Sequence, residues 1–322
     1  MAKLLFSLLL IVSGLIFGYL WQQRLRRTDR ENVIPALRKG LQKFTLLFLV
    51  PVAFTAAVWV VSFADLRIAF LPAIGAQSLL LGGVLGLAVA RILKRDGKQK
   101  GVLFCCGSFT NIGSIGALVA FVFLGESGFG LVTMYKMFEE IIYYTIGFPI
   151  ARYYSGAGGS MPFFMRIREV SRDPFVRAAT SSFFAGLALN LSGLPRPPFF
   201  ETITGIFVPF GTFILLVSIG LGMRFSKIGN YLVEGVMISA IKFAAVPALA
   251  VSTAYALGFA DINDGLPLKV VLIASSMPVA FNALIASSLY NLDLDMANSC
   301  WLISTGSLIF VLPLLAYLLT LM

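Results

Sequence analysis

Apolar windows of about 20 residues follow one another along almost the whole chain, separated by short polar or basic stretches. They predict ten membrane-spanning helices, at 4–21, 44–64, 69–90, 101–124, 128–151, 178–195, 202–223, 235–260, 270–290 and 296–321. Two of these spans break their own pattern. The fourth carries no charge, yet at its centre it reads GSFTNIGSIGA, residues 107–117. Glycine, serine, threonine and asparagine are poor material for a plain lipid-embedded helix. The ninth reads SSMPVAFNALIASS over residues 275–288, where Pro278 removes a backbone donor and crowds the preceding turn.

Composition fixes the solvent. Hydrophobic residues make up 58% of the 322 positions and charged residues 12%, with a mean hydropathy of +0.91. A soluble domain carries about twice that charge, so lipid is the expected surrounding. The net charge is +10 and histidine is absent. Lys plus Arg number 7, 1, 5, 0, 5, 1, 2, 1 and 0 in the successive connections. Basic residues are retained on the cytoplasmic side, which predicts a multi-pass protein of the cell (inner) membrane with both termini outside. The first span has no small-residue cleavage site after it and reads as retained. No solvated basic domain suggests nucleic-acid binding.

The three cysteines, Cys105, Cys106 and Cys300, lie in apolar segments and, with no histidine, suggest neither a metal site nor a disulfide framework. No phosphate-binding glycine loop and no nucleophile–base pair appears, so no cofactor and no enzymatic activity are expected.

The connection 152–173 holds Gly, Ser, Pro and basic residues and reads as a cytoplasmic linker. It divides the chain into residues 1–151 and 174–322, each with five spans. Five is odd, so the second half enters from the opposite face, as an inverted repeat requires. A shift of about 171 residues, which carries Asn111 onto Asn282, also overlays spans 4 and 9 and spans 5 and 10.

An interrupted helix leaves N–H and C=O groups unpaired, and in hydrocarbon each costs several kcal/mol. Such a break survives where it is buried in protein or lines a wet cavity. The N-terminus of a half-helix also carries roughly +0.5 of a charge, which suits an anion. Asn111 and Asn282, with Thr110, Gly113 and Pro278 beside them, are therefore the candidate substrate-binding residues. Gly82 and Gly86 in span 3 form a small-xxx-small pair and read as helix packing.

Span 5 carries Lys136, Glu139 and Glu140, expected on one helix face with Tyr143 and Tyr144 continuing the stripe. Counting from the outer end at 1.5 Å per residue puts both glutamates about 15–17 Å deep. Carboxyls at that depth suit proton exchange, and without histidine this role falls to them. Lys242 in span 8 is the other intramembrane charge, and it could pair with Glu139 or Glu140.

GSFTNIGSIGALVAFVFLGESGFGLVTMY, from residue 107, resembles the fourth and fifth spans of the auxin efflux carrier family of membrane transporters. MPVAFNALIASSLYNLDLDMANSCWLISTGSLIFVLPLLAYLL resembles its last two spans, and IIYYTIGF (141–148) is similar to its substrate-facing aromatic stretch. The resemblance implies an all-α polytopic membrane protein: ten helices in a 5+5 inverted repeat, with two crossing broken helices, spans 4 and 9. It also implies a scaffold bundle and a moving transport domain, with Asn111, Asn282 and Tyr144 lining the site. Three features depart from the family: Ala117 and Leu118 stand where it often has a proline, the Glu139–Glu140 pair is added, and the long cytoplasmic loop of plant members is missing.

Together these readings predict an efflux-type secondary transporter of a small organic anion, working by alternating access and driven by protons or the membrane potential. Two other readings remain open at this point. One is a sodium-coupled organic anion symporter of the bile acid type; the other is a non-transporting membrane sensor or assembly subunit. The expected partners are an organic acid, protons or sodium, the bilayer and, in a homodimer, a second copy.

Overall fold

A computed structural model describes residues 2–156, 163–223, 225 and 228–322. Among them the regular structure is helical throughout. In chain order the helices are α1 (Ala2–Arg27), α2 (Ile34–Phe44), α3 (Val50–Trp59), α4 (Leu71–Ile92), α5 (Gly97–Ser108) and α6 (Ala117–Tyr135). They continue with α7 (Glu139–Ile142), α8 (Phe148–Tyr154), α9 (Phe163–Arg172), α10 (Pro174–Leu191), α11 (Phe199–Gly220) and α12 (Leu232–Ala240). The last five are α13 (Val246–Ala256), α14 (Leu266–Ser275), α15 (Asn282–Leu289), α16 (Leu294–Gly306) and α17 (Leu308–Leu321). The expected linker 152–173 lies partly outside the described residues, and α9 is its described C-terminal part.

Among the described residues six helical stretches are long and apolar enough to cross a membrane, and a seventh is counted if α16 and α17, bent by 44° at Ser307, form one span. The difference from ten has a local cause. Three expected spans are missing from that count: spans 4 and 9 are broken, into α5 with the start of α6 and into α14 with α15, and span 6, the 18-residue α10, is not apolar enough to be included. Residues 112–154 instead count as one stretch of 43 residues, kinked at Gly125, whose φ of 71° is open to glycine.

Proline sets the fine structure of three spans. Thr45–Leu49, Tyr143–Gly147 and Ile241–Ala245 are single π-helical turns, and each stands just before a proline at the start of the next helix: Pro51, Pro149 and Pro247. A proline ring collides with the carbonyl four residues earlier and offers no N–H, and widening the preceding turn relieves both problems. A fourth π turn, Ile112–Gly116, has no such proline and rests on glycine and serine. Span 5 is therefore not the single regular helix expected from its apolar run. Lys136–Phe138 form a turn between α6 and α7, so the stripe of charges is carried by a helix end rather than a helix face.

The chain packs as two compact units, each drawing on both halves of the sequence. The first comprises Met1–Ala64, Gly113–Thr133 and Asp173–Arg224. In it α1 and α11 meet through small residues: a Cβ on Gly18 would strike the Val217 carbonyl, and one on Gly220 the Leu15 carbonyl. Gln22 Nε2 donates to the Leu221 carbonyl oxygen at 2.8 Å. Asn190 Nδ2 donates to the Trp59 and Val61 carbonyl oxygens at 2.6 and 2.8 Å, closing the end of α3. Glu126 and Arg196 form an ion pair at 2.6 Å beside a cavity of about 640 Å³.

The second unit comprises Asp65–Ile112, Met134–Arg172 and Phe225–Met322. Its tightest seam is α4 on α5, where Gly82 faces the Gly107 carbonyl and Gly86 the Leu103 carbonyl with no room for a Cβ. The small-xxx-small pair of span 3 is thus a packing device. Acidic caps start its helices: Asp96 Oδ1 accepts from Gln99 N at 2.8 Å and Asp293 Oδ1 from Met296 N at 3.0 Å. Outside the spans, hydrogen bonds from Arg67 hold the half-buried Asp65 carboxyl below the usual carboxylate range. Large apolar side chains are exposed on many helices, Leu9, Leu20, Val84 and Phe310 among them, a surface suited to lipid.

A candidate site at the crossing of two broken helices

Within the second unit, α5 ends at Ser108 and α14 at Ser275, and the extended segments that follow run antiparallel past one another. Thr110 and Val279 face each other there. Asn111 N donates to the Pro278 carbonyl oxygen at 2.9 Å, and Ala280 N to the Phe109 carbonyl oxygen at 3.0 Å. The pair 110/279 is flanked by these two bonds and makes none itself, the arrangement that brings opposed Cα atoms to about 4.5 Å. Each break supplies the partners that the other lacks, which is how backbone polar groups can be left unwound in an apolar surrounding.

Side chains from three further helical segments complete the accounting. Ser304 Oγ of α16 accepts from Val279 N at 3.2 Å. Tyr143 Oη accepts from Thr110 N at 2.9 Å and donates to Glu139 Oε1 at 2.9 Å. Lys242 Nζ donates to Thr110 Oγ1 at 2.6 Å and to the Ser108 carbonyl oxygen at 3.2 Å. Glu139 Oε2 lies 3.2 Å from Lys136 Nζ. The result is one buried polar chain, Lys136–Glu139–Tyr143–Thr110–Lys242, passing through the broken end of α5. Thr110, Glu139, Tyr143 and Lys242 are all buried, the lysine to 1% exposure.

The residues singled out from sequence are distributed as follows. Asn111 is buried at the crossing, its N–H on Pro278. Asn282 opens α15, whose N-terminus has no side-chain cap. Thr110 and Pro278 are the crossing itself. Gly113 belongs to the first unit, in the π turn Ile112–Gly116, and lines a small apolar pocket with Ala53, Phe129 and Thr212. Tyr144 packs edge-on against Phe148, and it is its neighbour Tyr143 that lies on Phe109, with ring centroids 4.0 Å apart. Lys136 and Glu139 are joined by an ion pair, whereas Glu140 is half-buried. The sequence leaves open whether Lys242 pairs with Glu139 or Glu140; its ammonium is held directly by oxygens of Ser108 and Thr110. Tyr143, Lys242 and Ser304 are thus three residues whose place at the crossing the sequence did not reveal. The four-residue spacing of Glu139 and Tyr143 was its available signal for the first. Nothing in the sequence pointed Lys242 at Thr110.

These features define a membrane protein with an unwound, polar-lined crossing, and comparison with known proteins gives the class. Residues 7–318 match the family described as membrane transport protein, so the chain belongs to that family, the auxin efflux carrier group of transporters. It is also similar to an uncharacterized transporter from Methanothermobacter thermautotrophicus, 25% identical over 234 residues that cover 73% of each chain.

Proposed function

We propose that this protein is an efflux-type secondary transporter that carries a small organic anion across the cell membrane by alternating access. The observation that carries the reading is the pair of broken helices whose unwound backbones bond to each other at Asn111–Pro278 and Phe109–Ala280. Paired discontinuous helices are the usual way that a transporter presents helix ends to a substrate within the bilayer. In this reading the uncapped N-terminus of α15 and the amides of Asn111 and Asn282 receive the carboxylate, with Thr110, Pro278 and Tyr144 around them. The second unit carries the substrate and the first stays fixed. Glu139, with Glu140 beside it and Lys136 as its partner, exchanges the proton or sets the local field.

The ten-helix inverted repeat is part of the same proposal. The 171-residue shift that overlays the two asparagines also carries the turn at Lys136–Phe138 onto the bend at Ser307. Two interruptions in matching places support a repeat better than one. The basic residues of alternate connections favour termini outside.

The test is flux in proteoliposomes over a panel of mono- and dicarboxylates, first chosen by thermal stabilisation of the purified protein. Asn111→Ala and Asn282→Ala should each lower uptake of the responding acid about tenfold or more, as loss of a hydrogen bond to a charged group would (about 1.5–3 kcal/mol), while the protein remains folded. Wild-type flux in both variants would remove the site from the crossing.

A further inference from the structure

Lys242 stands in an unusual place for a buried ammonium. It is 1% exposed, and no carboxylate lies within ion-pair distance of it among the described residues. Its two partners are oxygens of the broken helix: the Ser108 carbonyl, in the last turn of α5, and the Thr110 hydroxyl just beyond. Thr110 Oγ1 also donates to the same Ser108 carbonyl at 3.1 Å, so the three groups are mutually bonded. A helix C-terminus carries about half a negative charge on its unpaired carbonyls. A carbonyl oxygen and a hydroxyl oxygen at such an end are the donor set that unwound transporter helices offer to a monovalent metal ion. Here the position is taken by a side chain.

The position is also built to hold it. Lys242 lies in the π turn Ile241–Ala245, which Pro247 imposes on this span. The nearest carboxylate in the same network, Glu139, is bound to Lys136 and reaches Thr110 only through the Tyr143 hydroxyl. The charge of Lys242 is therefore met directly by the Ser108 and Thr110 oxygens, with the Glu139 carboxylate acting on it from further away.

We infer that Lys242 is a resident, covalently tethered cation: it fills the carbonyl-and-hydroxyl position at the end of α5 that a sodium ion would otherwise occupy, so the crossing receives its anion without bound sodium. The inference rests on the transport reading for its purpose and on the Lys242 contacts for its content. It sets aside the sodium-coupled alternative on a named residue.

Two measurements on the purified full-length chain test it. The first is equilibrium binding of radioactive sodium to the wild type, with thermal unfolding compared in sodium, potassium and N-methylglucamine chloride at equal ionic strength. No saturable sodium binding and a common Tm are expected; saturable binding, or a Tm raised by sodium alone, overturns the inference. The second uses Lys242→Ala and the shape-preserving Lys242→Met in N-methylglucamine chloride. A Tm lowered by about 5 °C is expected, regained by Lys242→Ala in sodium chloride or methylammonium chloride. A wild-type Tm in both variants, or a lowered Tm that neither cation raises, overturns it. If neither variant folds, the wild-type sodium measurement decides alone. Absence of organic-acid flux in wild-type proteoliposomes would instead count against the transport reading, and it leaves the sodium and Tm outcomes independent.

Discussion

Tyr143 joins the charged end of span 5 to the backbone of span 4. Its hydroxyl accepts from Thr110 N and donates to Glu139, and its ring covers Phe109. Tyr143→Phe keeps the ring and removes both bonds, stranding a buried N–H and leaving Glu139 with only its Lys136 partner. We expect a loss of about 1–3 kcal/mol, read as a lower Tm in detergent; an unchanged Tm would mean that water or another group already serves Thr110. Of this chemistry, the charges and aromatic stripe could be read in sequence because 136, 139, 140, 143 and 144 are near neighbours. Which tyrosine meets the break could not, since that depends on the turn at Lys136–Phe138 and the π turn after it. The partner of Lys242 is 132 residues away and was out of reach for the same reason.

At the scale of the element, helix–helix approach is set by glycine and helix shape by proline. Gly82 is closed over by the Gly107 carbonyl, whereas Gly205 in α11 faces open space. Gly82→Ala should therefore force α4 from α5 and cost about 1–3 kcal/mol. Gly205→Ala should be neutral or stabilising by up to about 1 kcal/mol through helix propensity. Equal Tm changes for the two variants would contradict the packing account. Both interrupted spans were legible, because glycine, asparagine and Pro278 stand out against an apolar background. The helix face expected for Lys136, Glu139 and Glu140 is instead a turn and a helix end, and the interruption at Lys136–Phe138 contains neither glycine nor proline to announce it. Apolar windows measure hydropathy and not helix continuity, so ten windows and six or seven long apolar helices can describe the same chain.

For the whole molecule, the linear division at residues 152–173 and the division into packed units are different things. Each unit takes helices from before and after that linker. Hydropathy and charge order spans along the chain, but side-chain packing decides which spans share a core, and residues such as Gly18 and Gly220 find each other across 200 positions. What holds the second unit's polar interior together is the backbone exchange between the broken segments.

That exchange can be measured directly. Cysteines replacing Thr110 and Val279, in the non-hydrogen-bonded antiparallel arrangement, lie within the range that a disulfide spans. Mild oxidation of the double variant in membranes, followed by peptide mapping, should give a 110–279 crosslink in most molecules. Two continuous helices would keep those side chains apart, and the absence of that crosslink from folded protein would contradict the crossing and the anion site proposed upon it.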